Sequence, residues 1–347
     1  MAKTKVEFVC RECGASHHQW AGQCLDCKEW NTLEEIVISQ ATSSKPESLK
    51  DLPASKVQNL TEIKAQNKDR LSTGLSELDR TLGGGLVDGS VVLIGGDPGI
   101  GKSTLILQAL AKLNSDNTTL YVSGEESAEQ VSERAIRLGI KEDILFIGET
   151  HLEKIIKLSK DVKPKVIVID SIQTMVTDLS ASAPGSVTQV RDCAAQLTQF
   201  AKQTNTILLM IGHVTKGGAL AGPRILEHMV DAVLYFEGDA GGRYRIIRAV
   251  KNRFGAVNEI SVFAMGEKGL QQVSNPSSIF LSNQENPSSG SMVMVTREAT
   301  RPLLVEIQAL VDQSNGTPKR VSVGLDQNRL ALQLAILHKH SGIATFD

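Results

Sequence analysis

Gly96, Gly101, Lys102 and Ser103 fall at the spacing G-x-x-x-x-G-K-S within Gly96-Asp97-Pro98-Gly99-Ile100-Gly101-Lys102-Ser103-Thr104. Residues of these types in this order hold phosphates. Glycines let backbone N–H groups turn inward around an anion, the start of a following helix adds a favourable dipole, and a lysine there reaches the β- and γ-phosphates. Ser103 stands where a hydroxyl ligates Mg²⁺, and Thr104 falls beside it near the α-phosphate. The stretch predicts a nucleoside triphosphate site with ATP and Mg²⁺ as its ligands.

Further groups extend this to hydrolysis. Val166-Ile167-Val168-Ile169-Asp170 is an apolar run ending in an acid, the Walker B pattern, in which the aspartate holds Mg²⁺, usually through water. Gly124-Glu125-Glu126-Ser127 follows another apolar run, where a carboxylate can orient or deprotonate the attacking water. Glu125 is assigned that role, with Glu126 as the alternative; both also suit the positive end of the next helix. Gln173, beside Asp170, and His213, at the end of the run from Ile207, are expected to sense the γ-phosphate.

A second kind of chemistry sits near the N-terminus. Cys10-x-x-Cys13 and Cys24-x-x-Cys27 are two knuckles ten residues apart, the pairing that closes a tetrahedral Zn²⁺ site. His17 and His18 lie between them and are read as non-ligands, because four thiolates fill the tetrahedron. Trp20 and Trp30 are expected to form the core of this small module, with a contact surface as the alternative.

Positioning these groups takes an α/β scaffold with a mainly parallel sheet. Buried strands are expected in the run from Val91 and over 118–123, 164–170 and 207–213, with helices over 105–113 and 188–204. Ser76 is read as a helix cap at the entry to the core. Cys193, inside the second helix, is read as a small buried apolar residue rather than a nucleophile. Strands follow over 232–236, 243–250 and 259–264. Between the last two, Lys251-Asn252-Arg253-Phe254-Gly255 places two cations on a turn, as a solvated face or as groups reaching a neighbouring subunit's nucleotide.

Four segments read as connections or late additions. Residues 39–69 are a polar linker between a four-cysteine zinc module over 1–38 and a core over 70–270. Residues 177–187 make a small-residue loop. Residues 214–224 carry Lys216 and Arg224 among glycines and are expected to meet a nucleic-acid backbone with weak sequence preference and appreciable salt dependence. From about residue 275 a further unit is expected, with strands over 292–295, 303–309 and 321–323 and a helix over 326–340. The net charge of −2 carries no bulk nucleic-acid signature. No apolar run reaches a membrane span and no secretory signal is legible, so the expected location is the cytoplasm.

Taken together, the paired cysteine knuckles, Gly96 to Thr104, Tyr121-Val122-Ser123-Gly124-Glu125-Glu126-Ser127, Pro184-Gly185-Ser186-Val187, Gly212-His213-Val214-Thr215-Lys216 and above all Lys251-Asn252-Arg253-Phe254-Gly255 resemble the bacterial RadA (Sms) family of DNA repair proteins. The resemblance implies a RecA-like ATPase that forms homo-hexameric rings on single-stranded and branched DNA and works with the RecA recombinase. It implies an ATP-driven motor, helicase or translocase, promoting branch migration, with a nucleotide-switched scaffold or mediator as the alternative. It also implies that Lys251 and Arg253 act across a subunit interface, and that the region after 275 is the first portion of a Lon-like domain. No Ser-Lys nucleophile pair supports protease activity there.

Overall fold

The computed structural model describes residues 5–10, 16–26, 28–38, 70–180, 182–213, 226–238, 242–281, 289–311 and 320–343. The expected linker lies outside them, as do Cys13, Cys27, Lys216 and Arg224. Two compact units result, one of residues 1–276 with 296–303 and one of 277–295 with 304–347.

The first unit is built on a nine-stranded sheet. Its strands are β4 (Val91–Gly96), β5 (Thr119–Ser123), β6 (Leu145–Gly148), β7 (Val166–Asp170), β8 (Ile207–His213), β9 (Ala232–Glu237), β10 (Tyr244–Asn252), β11 (Ile260–Gly266) and β12 (Gly269–Gln272), in the spatial order 12-11-10-9-4-8-7-5-6. Pairing is parallel from β9 through to β6 and antiparallel among β9, β10, β11 and β12. The central strands β4, β5 and β7 are buried at every position. A parallel sheet covered on both faces demands such continuous apolar runs.

Alternation within each strand divides the core in two. Val92, Ile94, Tyr121 and Val168 pack with α2 (Lys102–Leu113) and α3 (Ala128–Leu138) on one face. Val91, Leu93, Val122 and Ile169 pack with α4 (Leu152–Val162) and α5 (Val187–Thr204) on the other. Ser127 and Gln130 close a capping box at the start of α3. The expected cap at Ser76 is corrected: Leu75 is the N-cap of α1 (Ser76–Thr81), and the Ser76 hydroxyl donates to Gln272 Oε1 at 3.0 Å. Cys193 is fully buried, and burial pushes its thiol up to about 12, so it stays protonated.

The N-terminal module is a three-stranded antiparallel sheet of β1 (Lys5–Cys10), β2 (Ser16–His17) and β3 (Leu33–Ile38) in the order 2-1-3. Its core is Cys10, Cys24 and Leu33, with Phe8 and Ala21 against it. Trp20 and Trp30 are 59% and 67% exposed, which overturns their reading as core. So short a sheet buries too little volume to enclose two indoles.

In the second unit, β13 (Ser291–Glu298) and β14 (Arg301–Gln308) pair, and α6 (Gln327–Ser341) begins at Asp326, whose carboxylate accepts from the Arg329 N–H at 2.7 Å. Residues 321–323, expected as a strand, are irregular. The hairpin tip counts with the first unit, where Arg301 Nη1 donates to buried Glu77 Oε2 at 2.7 Å. Among the described residues no helix is long and apolar enough to cross a membrane.

Candidate nucleotide site

Strand register brings the separated motifs to one edge. Gly96 lies opposite His213, and Ser123 opposite Asp170. The carboxyl ends of β4, β5, β7 and β8 therefore present the phosphate loop, Glu125, Asp170 and His213 together, where open α/β sheets bind ligands. Gly101 enters α2 with φ 113°, and a Cβ there would stand 2.7 Å from Met265 Cε. Only glycine fits both the conformation and the space. Gly124 is constrained by space alone, since its Cβ would meet Thr174 Oγ1 at 2.2 Å.

Lys102 is 4% exposed and donates to the Gly96 and Asp97 carbonyls at 2.8 and 2.9 Å. Burial lowers its pKa, against the raising pull of Asp170, Glu125 and Asp97. Its Nζ is also 3.3 Å from His213 Nδ1, and His213 Nε2 is 3.1 Å from Glu125 Oε1. Ser171 Oγ donates to the same carboxylate. The His213 hydrogen bond is the main reason that Glu125 sits below the usual carboxylate range. Glu126 points elsewhere and accepts from Arg134 of α3. Of the two adjacent acids, Glu125 is the one that faces the lysine.

Asp170 is buried, and burial raises its carboxyl above the ordinary value, while hydrogen bonds from Tyr121 and Ser103 pull it down. A hydroxyl and a carboxylate joined in this way form the oxygen donor set that suits Mg²⁺. Gln173 Nε2 donates to the His213 carbonyl at 3.3 Å, and its buried Oε1 has no partner among the described residues.

Lys251 and Arg253 lie elsewhere. β10 runs against β9, pairing Asn252 with Ala232, and Ala232 pairs with Val92 at the opposite end of β4 from Gly96. Four residue steps along the strand separate the two edges, about 13 Å. Lys251 Nζ donates to the Glu227 carbonyl at 2.6 Å, and Arg253 Nη1 meets buried Asp231 at 3.3 Å. Neither is at this chain's own phosphate loop.

In the N-terminal module, Cys10 and Cys24 are both fully buried. Cys24 Sγ is 3.4 Å from His17 Nε2, and the Nε2 is 3.5 Å from Asp26 Oδ2. Two sequestered thiols close to β1 and β2 fit a soft-ligand metal centre. The sequence reading set His17 aside, yet β2 brings it to Cys24.

Comparison with known proteins identifies the families concerned. Residues 58–219 match the AAA domain family model and residues 8–35 match the rubredoxin metal binding domain. The DNA repair protein RadA of Pseudomonas aeruginosa is 56% identical over 349 residues, covering 100% of this chain and 77% of that protein. The chain belongs to the RadA family. RadA of Escherichia coli is 53% identical (100% of this chain, 77% of that one) and RadA of Bacillus subtilis 48% (99% and 76%). Among solved structures, an ATPase domain shares the fold at TM-score 0.52 and 14% identity, over 62% of this chain and 95% of that one.

This RadA-family chain is therefore an ATP hydrolase with a RecA-like core, using ATP and Mg²⁺, and its N-terminal module is a zinc ribbon. One expectation is corrected. The relatives are named DNA repair proteins, and that name supports a DNA repair ATPase; it does not support the motor that drives branch migration. A consequence for the ribbon is measurable: metal analysis should give one Zn²⁺ per chain, and a chelator should unfold the module while the ATPase core keeps its melting transition. Metal-free protein with an intact module would contradict this.

Proposed function

We propose that this chain is a nucleotide-switched, single-stranded-DNA-binding mediator of repair, hydrolysing ATP in a homo-hexameric assembly. The observation that carries the reading is the hydrogen-bonded line from Lys102 through His213 to Glu125. Lys102 would bind the β- and γ-phosphates, Ser103 and Asp170 would hold Mg²⁺, and Glu125 would take the proton of the attacking water. A γ-phosphate competes with the loop carbonyls and His213 for the lysine. Its arrival frees His213, which ends β8 and leads in sequence directly into 214–224 with Lys216 and Arg224. Gln173, bonded to the His213 carbonyl, would report the same event. Nucleotide state thus reaches the residues assigned to the DNA backbone.

The position of Lys251 and Arg253, a strand length from their own loop, supports action on a neighbour's nucleotide. Partnership with the RecA recombinase rests on the family resemblance, as does a Lon-like character for residues after 275. A four-thiolate module suits the reducing cytoplasm.

Affinity for a fluorescent single-stranded oligonucleotide should differ between ATP-analogue, ADP and nucleotide-free states and fall steeply with salt. His213→Ala should bind ATP and DNA separately but lose the difference. Equal affinity in all nucleotide states would overturn the switch. Lys251→Ala should keep nucleotide affinity and lose turnover; a collapse of affinity would place Lys251 in its own subunit's pocket.

A further inference from the structure

Tyr121 lies in the middle of β5, opposite Val168 of β7, and is fully buried. Its ring stacks on Phe146 with centroids 6.4 Å apart and planes 15° from parallel. Its hydroxyl donates to Asp170 Oδ2 across the sheet. A tyrosine ring fills this space no better than phenylalanine would, so the hydroxyl needs its own explanation.

We propose that Tyr121 is a positioning residue for the Mg²⁺-holding carboxylate, anchoring Oδ2 of Asp170 so that the group keeps one orientation toward the metal. The surroundings make such an anchor necessary. Asp170 is 4% exposed and Tyr121 wholly buried, so water cannot take the place of the phenol as a donor to Oδ2. Close to the pair, Arg134 of α3 donates to Glu126, which ties that second acid away from the metal. Removing the phenol oxygen leaves a buried carboxylate oxygen short of a donor and able to turn.

The inference rests on Asp170 as the Mg²⁺ acid, and its test separates the two. Binding of a fluorescent ADP analogue is titrated with Mg²⁺ for the parent, Tyr121→Phe, Asp170→Asn and the double variant. For Tyr121→Phe, affinity without Mg²⁺ should match the parent, while the Mg²⁺ concentration at half-effect rises about tenfold. Asp170→Asn should abolish the Mg²⁺ effect, and adding Tyr121→Phe to it should change nothing further. A Tyr121→Phe chain with the parent's Mg²⁺ midpoint, whatever its melting temperature, would overturn the role of Tyr121 alone. Asp170→Asn with an unaltered Mg²⁺ response would overturn both assignments.

Discussion

Lys102→Ala should lower ATP turnover by about a hundredfold or more, the scale on which single charge-stabilising donors act in preorganised sites. In the folded chain the ammonium is held by two carbonyls of its own loop, 2.8 and 2.9 Å away, within a ring of Asp170, Glu125 and Asp97. It is a buried cation waiting among acceptors. Alanine keeps the helix, since it is a good helix former, but leaves the β- and γ-phosphates without a counter-charge as negative charge redistributes. Steady-state phosphate release at saturating ATP measures the effect. Turnover near the parent rate would refute the phosphate-loop assignment.

The second large effect is on chemistry with binding spared. Glu125→Gln should cost about 10²–10⁴ in turnover, the range for loss of a positioned general base, while nucleotide affinity changes little. The amide can still accept from Ser171 and His213, so the local geometry survives. Glu126→Gln makes the contrast. Its carboxylate is engaged by Arg134, so turnover should stay near the parent rate while stability falls, because the largely buried guanidinium loses its counter-charge. Equal losses in the two variants would show that the acids share the role.

The phosphate loop and the central strands were legible because their physics is local. A strand buried on both faces must be apolar throughout, and a loop that cradles phosphates must carry glycines at fixed steps. The choice between Glu125 and Glu126 was not local: it depends on Arg134, a turn and two helical turns further along. The same holds for Tyr121, whose partner Asp170 is 49 residues away. The edge occupied by Lys251 and Arg253 follows from the antiparallel return of β10, which hydrophobic pattern alone does not orient. Val321 to Val323 alternates like a strand but joins no ladder among the described residues, and pattern without a partner does not make a sheet. The tryptophans failed for a related reason, since their volume exceeds what three short strands enclose.

One experiment addresses the shared site most directly. Glu125→Gln and Lys251→Ala chains, each inactive alone, are mixed and assayed for ATP hydrolysis. If Lys251 acts on a neighbour's nucleotide, a Glu125→Gln chain supplies the missing lysine to a Lys251→Ala chain that still has its glutamate. Turnover should then reappear in the mixture, rising to a maximum at intermediate ratios. A mixture as inactive as its two components at every ratio would contradict the shared site and confine both residues to one subunit.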